Sequence, residues 1–169
     1  MKKLLICLFI LVSCLPLAAQ DSAAYVKNLL ANNRVSFDFT LSSKGKTPMQ
    51  MNGKAVVDGE CYRFKGNSIE VYCDGCTKWT VDEESKEVYI ESSGGSSTFL
   101  DNPAKWIDNT KDLKVSKSKI SGIWHDTTAQ SNFAFVFSSI VSSPLSGSIE
   151  GFSFDESALG SEWIVTDLR

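Results

Sequence analysis

The sequence predicts a mainly β (α+β) domain in which an antiparallel meander of short strands carries two helices. Three observations predict it. Six short runs alternate large apolar with polar residues, Asp-Gly dipeptides stand between some of those runs, and two segments show helical spacing instead. An alternation of period two puts every second side chain on one face of a sheet, and tight turns between runs favour sequential antiparallel pairing.

The first twenty residues stand apart from the fold. Lys2 and Lys3 precede the apolar run Leu4 to Leu17, which closes on the small residues Ala18 and Ala19, the order found in a secretory signal peptide. That run falls short of the roughly 20 apolar residues a membrane-crossing helix needs, and Pro16 sits near its end. Cleavage near Ala19 or Gln20 is expected, leaving one domain over residues 21–169. Leu11-Val12-Ser13-Cys14 also fits the loose pattern for lipid attachment at Cys14, which would give a membrane-anchored surface protein instead.

Without Lys2 and Lys3 the 17 basic residues become 15 against 20 acidic ones, and the net charge moves from −3 to −5. No basic tract of the kind that neutralises phosphates is expected anywhere in the chain, so nucleic acid is not an expected partner. Cys7 and Cys14 fall in the signal segment, leaving Cys61, Cys73 and Cys76, an odd number in a compartment that permits disulfides.

Along the mature chain, Asp21 or Ser22 caps a helix from Ser22 to Asn32, with Val26, Leu29 and Leu30 as one apolar stripe. Val35, Phe37, Phe39 and Leu41 then alternate with Ser36, Asp38 and Thr40 as a half-buried strand. The alternation returns at Met49/Met51, Tyr62/Phe64, Ile69/Val71/Cys73, Trp79/Val81 and Val88/Ile90. Asp58-Gly59 and Asp74-Gly75 accept the positive φ of tight hairpin loops. Ser92 to Thr98 reads as a flexible connection. Asn102 then caps a second helix, with Pro103 at its first position and Trp106 and Ile107 on one side. Phe133, Phe135 and Phe137, then Ile149 to Phe154, then Trp163 to Val165 read as further strands.

The order of these elements resembles that of the LolA-type carriers of outer-membrane lipoproteins, including their shorter, divergent branch. The most specific segment is Val71-Tyr72-Cys73-Asp74-Gly75-Cys76-Thr77-Lys78-Trp79, similar to the family's strand, Asp-Gly turn and aromatic return strand; Asp82-Glu83-Glu84 and Glu87-Val88-Tyr89-Ile90 follow it. Phe37-x-Phe39, Gly53, Tyr62-Arg63-Phe64, Asn102-Pro103 and the ending Ile164 to Arg169 add to the likeness, which covers nearly the whole mature chain.

The resemblance implies an unclosed, strongly curved antiparallel β-barrel whose concave apolar face is covered by helices acting as a lid. It implies a monomeric periplasmic chaperone that takes acylated lipoproteins from an inner-membrane releasing complex and yields them to an outer-membrane acceptor, with no cofactor and no covalent chemistry. Phe37, Phe39, Met49, Met51, Tyr62, Phe64, Ile69, Val71, Trp79 and Val81 are the expected acyl-binding face, and Val26, Leu29, Leu30, Trp106 and Ile107 the expected lid contacts. One departure stands out: the family often carries an Arg-Pro pair after the second strand, whereas this chain reads Val57-Asp58-Gly59-Glu60. Arg63 alternates with Tyr62 and Phe64 and should point away from a cavity they face, so no residue is given the lid-holding role.

Without the family the residues still carry an unusual load of large apolar side chains on one strand face, though strand faces are apolar in most such domains and the pattern alone favours a plain core. Acyl chains need apolar surface and little else, since each buried methylene contributes about 0.8 kcal/mol. The plainer alternative is that the same residues are only a core sealed by helices. Met49 and Met51 favour a surface that adapts to its occupant. A carboxylate at Phe39 or Val71 is expected to abolish loading in a folded protein.

Other chemistry is weakly encoded. Cys73-x-x-Cys76 with Cys61 and His125 lacks the tight second half of a zinc site, and a thioredoxin-type motif would open a helix where this one spans a hairpin. A disulfide between Cys73 and Cys76, or between Cys61 and Cys73, stays open. His125 has no Gly-x-Ser-x-Gly nucleophile elbow to serve, which leaves a lipid or cell-wall hydrolase the weaker alternative. Asp82, Glu83 and Glu84 read as a solvated turn, and Trp106 and Trp124 as buried aromatics. An envelope sensor domain that detects lipoproteins is the alternative binding function.

Overall fold

The computed structural model describes residues 22–43, 48–94, 101–126 and 130–169; the signal segment, the Asp21 cap and residues 95–98 of the serine-rich connection lie outside the described residues. Helix α1 spans Ser22–Asn32 and buries Val26 and Leu30, one turn apart on a single stripe. The chain passes directly into β1 (Asn33–Ser43), where Val35, Phe37, Phe39 and Leu41 are the buried alternates.

Strands β2 (Gln50–Asp58), β3 (Cys61–Gly66), β4 (Ile69–Cys73), β5 (Thr77–Asp82) and β6 (Glu87–Ser92) each pair antiparallel with the strand before. The two Asp-Gly turns behave as their chemistry requires, with Gly59 at φ 63° and Gly75 at φ 95°. The Asp74 carboxylate accepts from the amides of Cys76 and Thr77 at 2.9 and 2.7 Å, which closes the second turn.

Helix α2 (Pro103–Trp106) starts as expected: Asn102 accepts from the Ala104 amide at 3.0 Å and Pro103 occupies the first turn. It continues as a 3-10 turn, Ile107–Asn109. Strands β7 (Thr110–Val115), β8 (Lys119–Asp126) and β9 (Ser131–Pro144) follow, and β9 pairs along β1. A final strand, β10 (Ile164–Asp167), lies beside β6. The sheet order is β10-β6-β5-β4-β3-β2-β1-β9-β8-β7, ten strands with two free edges, so the sheet is unclosed.

Two expectations need correction. Residues 149–154 form turns instead of a strand, with Gly151 at φ 81°. Both neighbours of β9 are already in place, and the chain must cross from one wing of the sheet to the other, so Phe152 anchors the crossing by burial under the Arg34 guanidinium, 5.3 Å from its ring. Because of that crossing β10 runs parallel to β6, while every other pair is antiparallel. β7 and β8 were not foreseen. Their lysines, serines and single apolar residues hide the alternation.

Register sorts the sheet into two faces, because residues directly opposite each other point the same way. On one face lie Val35, Phe37, Phe39 and Leu41 of β1, Met51, Ala55 and Val57 of β2, Tyr62 and Phe64 of β3, Ile69, Val71 and Cys73 of β4, and Phe135 and Phe137 of β9. Helix α1 and Ile107 pack onto this face. On the other face Trp79, Val81, Val88 and Ile90 form a second core with Tyr72, Phe154, Leu159 and Trp163.

The second face also holds a buried carboxylate. Glu70 is reached by Arg63 at 2.9 Å, by the Tyr72 hydroxyl at 2.6 Å and by Lys65. Burial pushes its carboxyl up, but the hydrogen bonds from Lys65, Tyr72 and Arg63 outweigh that and hold it down at about 2. A carboxyl depressed in the fold stabilises it above the unfolded value of 4.5 and loses that contribution as pH falls toward 2. Acid titration between those limits is therefore expected to lower the unfolding midpoint. Glu70→Gln should flatten that acid slope and cost about 2 kcal/mol at neutral pH, allowing for the exposure of Lys65; equal acid slopes in both proteins would refute it.

Candidate functional site: the helix-covered apolar face

Aromatic rings fill the centre of the helix-covered face. Phe37 stands 4.3 Å from Phe137, Phe135 stands 4.9 Å from Phe137, and Phe39 meets Phe64 edge-on at 5.9 Å. Room for the Phe39 ring comes from two facing glycines, Gly53 and Gly66, which continue its row across β2 and β3. A Cβ on Gly66 would stand 3.0 Å from the tip of that ring. Strand alternation supplies the layer, and the glycine pair shapes it.

Of the ten residues expected on this face, Phe37, Phe39, Tyr62, Phe64 and Val71 are buried in it, and Met51 and Ile69 pack against it from the rim. Met49 lies before the start of β2 and is 40 % exposed. Trp79 and Val81 are corrected to the opposite face, since Trp79 pairs with Tyr72 and Val81 with Glu70. A strand's own alternation does not say which of its two faces joins a neighbour's, and a shift of one residue exchanges them. Of the expected lid contacts, Val26, Leu30 and Ile107 are buried on the layer and Leu29 packs at its margin. The side chain of Trp106 lies outside the described residues.

Further residues complete the layer. Val35, Leu41, Ala55, Val57, Cys73, Ile120, Trp124, Phe135 and Phe137 belong to it. The phenylalanine alternation of β9 was legible in sequence, but its pairing with β1 was not, because the two segments lie far apart in the chain.

Polar ties hold the covering segments down. The buried Asp101 carboxylate, just before α2, accepts from the Tyr62 hydroxyl at 3.1 Å and from Lys78 at 3.4 Å; Lys78 also meets Glu91 at 2.9 Å. Asn102 donates to the Gly59 carbonyl at 2.8 Å. Lys27 of α1 is ion-paired with Asp108 of the 3-10 turn. Burial, together with Cys73 and Asp101, holds the Tyr62 phenol well above its ordinary value, so it serves as a donor. Burial alone would push the Lys78 ammonium down, but Glu91 and Asp101 hold it up. Arg63 lies on the opposite face, bonded to Glu70, as its place between Tyr62 and Phe64 implied.

The other sequence candidates are dispersed. His125 places Nδ1 3.0 Å from the Asn132 side-chain oxygen and lines a shallow hollow of about 260 Å³ with Asp108, Asn109, Thr110 and Lys111. Cys61, Cys73 and Cys76 are free thiols, and among the described residues no three His, Cys, Asp or Glu side chains are grouped to hold a metal. Asp82 accepts from the amides of Glu84 and Ser85 and so closes a turn. Trp124 is buried, stacked on Phe133 at 5.6 Å.

No family model and no curated protein matches this chain. Among the described residues no helix is long and apolar enough to cross a membrane.

Proposed function

We propose that this chain is an exported, periplasmic, non-enzymatic carrier that shields the acyl chains of lipoproteins between its apolar sheet face and the covering helices. It would receive them from an inner-membrane releasing complex and yield them to an outer-membrane acceptor. The observation that carries the reading is the contiguous aromatic and aliphatic layer from β9 through β4, covered by one helix of 11 residues and a short α2 segment. A cover this small is attached by few buried side chains, chiefly Val26, Leu30 and Ile107. Moving it aside would open a surface suited to methylene chains, and transfer then needs only a partner that binds those chains more tightly. The curved, barrel-like form of the sheet belongs to this proposal.

Phe39 and Val71 are 2 % and 0 % exposed, so a glutamate at either would bury an unpaired carboxylate and unfold the protein instead of reporting on loading. Met51 and Ile69, half-buried at the rim, are the better probes. Met51→Glu and Ile69→Glu are expected to fold and to lose binding of a triacylated lipoprotein by more than about tenfold, the effect of a charge placed against acyl chains. Intact mass spectrometry of gently purified protein reads the bound species and the cleavage site together. Normal loading of both folded variants would remove this face as the binding site.

A further inference from the structure

The second face of the sheet is covered on one wing only. The segment after β9 lays Phe154, Leu159 and Trp163 over β4 to β6, whereas the wing built from β7, β8 and β9 shows this face to solvent. Register places Lys111, Lys114, Lys119, Ser121 and Ile123 together there: Lys111 pairs with Ile123, Lys114 with Ser121, and Lys119 with Ser138. Lys117 sits at the adjoining hairpin tip. All four lysines are exposed, and among the described residues none of them has an ion pair. Beside Lys114 a shallow depression of about 370 Å³ is lined by Ser121, Ile123, Ala134 and Val136, with Asp112 the one carboxylate in its wall. Ile123 is 38 % exposed. Four unpaired cations within nine residues are a strong local departure in a chain whose net charge is −3.

We propose that this lysine-bearing wing docks on an anionic phospholipid surface. Ammonium groups on flexible stems are point charges without a fixed fork, which suits a diffuse layer of lipid phosphates better than one carboxylate on a protein. The apolar side chains beside them would enter the headgroup boundary while the lysines stay at phosphate level. The wing lies on the sheet face opposite the helix-covered layer, so the proposal stands independently of acyl binding.

The test is flotation of the purified protein with vesicles of phosphatidylethanolamine and phosphatidylglycerol, and with vesicles of phosphatidylcholine alone. Binding is expected to the anionic vesicles only, and to weaken steeply between about 0.05 and 0.5 M salt. Each lysine near such a surface is worth roughly a fivefold gain in partitioning. The combined Lys111→Gln, Lys114→Gln, Lys117→Gln and Lys119→Gln variant should therefore lose about a hundredfold or more, and these exposed sites leave folding intact. Removing Lys86, at the β5–β6 turn, and Lys105, on α2, should change binding little. Equal binding to both vesicle types, an unaltered quadruple variant, equal loss in the Lys86 and Lys105 variant, or capture of acidic proteins without vesicle binding would each overturn the proposal.

Discussion

Gly53→Ala is expected to lower the thermal unfolding midpoint by about 10 °C, equivalent to about 3 kcal/mol in a domain of this size. A methyl group at residue 53 would stand 2.7 Å from the Gly66 Cα and 2.8 Å from the Lys65 carbonyl carbon, and nearer still to that carbonyl oxygen. These are backbone atoms of the neighbouring strand, which no rotamer change can move aside. The β2–β3 pair must part, and the Phe39 ring above the glycines loses its seat. Calorimetry of the variant is the check; a midpoint within about 2 °C of the native value would show that β2 and β3 are less closely apposed than the structure has them.

Asp101→Ala is the second large effect, about 3 kcal/mol by denaturant midpoint. The substitution takes from the buried Lys78 ammonium one of its two carboxylates, leaving Glu91 at 2.9 Å, and from Tyr62 the acceptor at 3.1 Å. The loss should be local as well as global. Amide hydrogen exchange at Ala104 to Asn109 is expected to quicken well before the β1–β9 ladder responds, because the α2 segment is short and Asp101 ties its start to the sheet. Uniform acceleration across all amides would mean that Asp101 supports the whole fold and not this segment. If the covering helices act as a lid, the variant should also load and release acyl cargo faster.

The element reading succeeded where one short segment carried its own instructions. Ser22 to Asn32 is a helix within those bounds, Asn102 caps the next one, and six alternating runs became six sequential strands. It failed where the local pattern was mixed or misleading. Lysines and serines concealed β7 and β8, while Ile149 to Phe154 read as a strand yet formed turns, because Phe152 and Phe154 anchor a crossing instead of a ladder. The lysines show the same limit. Lys111, Lys114, Lys117 and Lys119 stand within nine residues of the sequence, but only the β7–β8–β9 register puts Lys111, Lys114 and Lys119 on one face.

The apolar face was legible in part for the same reason. Phe37 and Phe39, or Tyr62 and Phe64, share a face by alternation within one strand, and the sequence determined that much alone. It also determined the Asp-Gly turns and the Asn102 cap. Whether Trp79 joins Val71 or turns away from it depends on the register between β4 and β5. Whether Phe137 meets Phe37 depends on β9 returning to β1, and the meeting of Lys78 with Asp101 depends on where α2 comes to rest. Alternation and capping are local and act over a few residues. Register, strand order and the choice of covered face are settled by the burial that the whole chain achieves at once, and only the tertiary structure decides them.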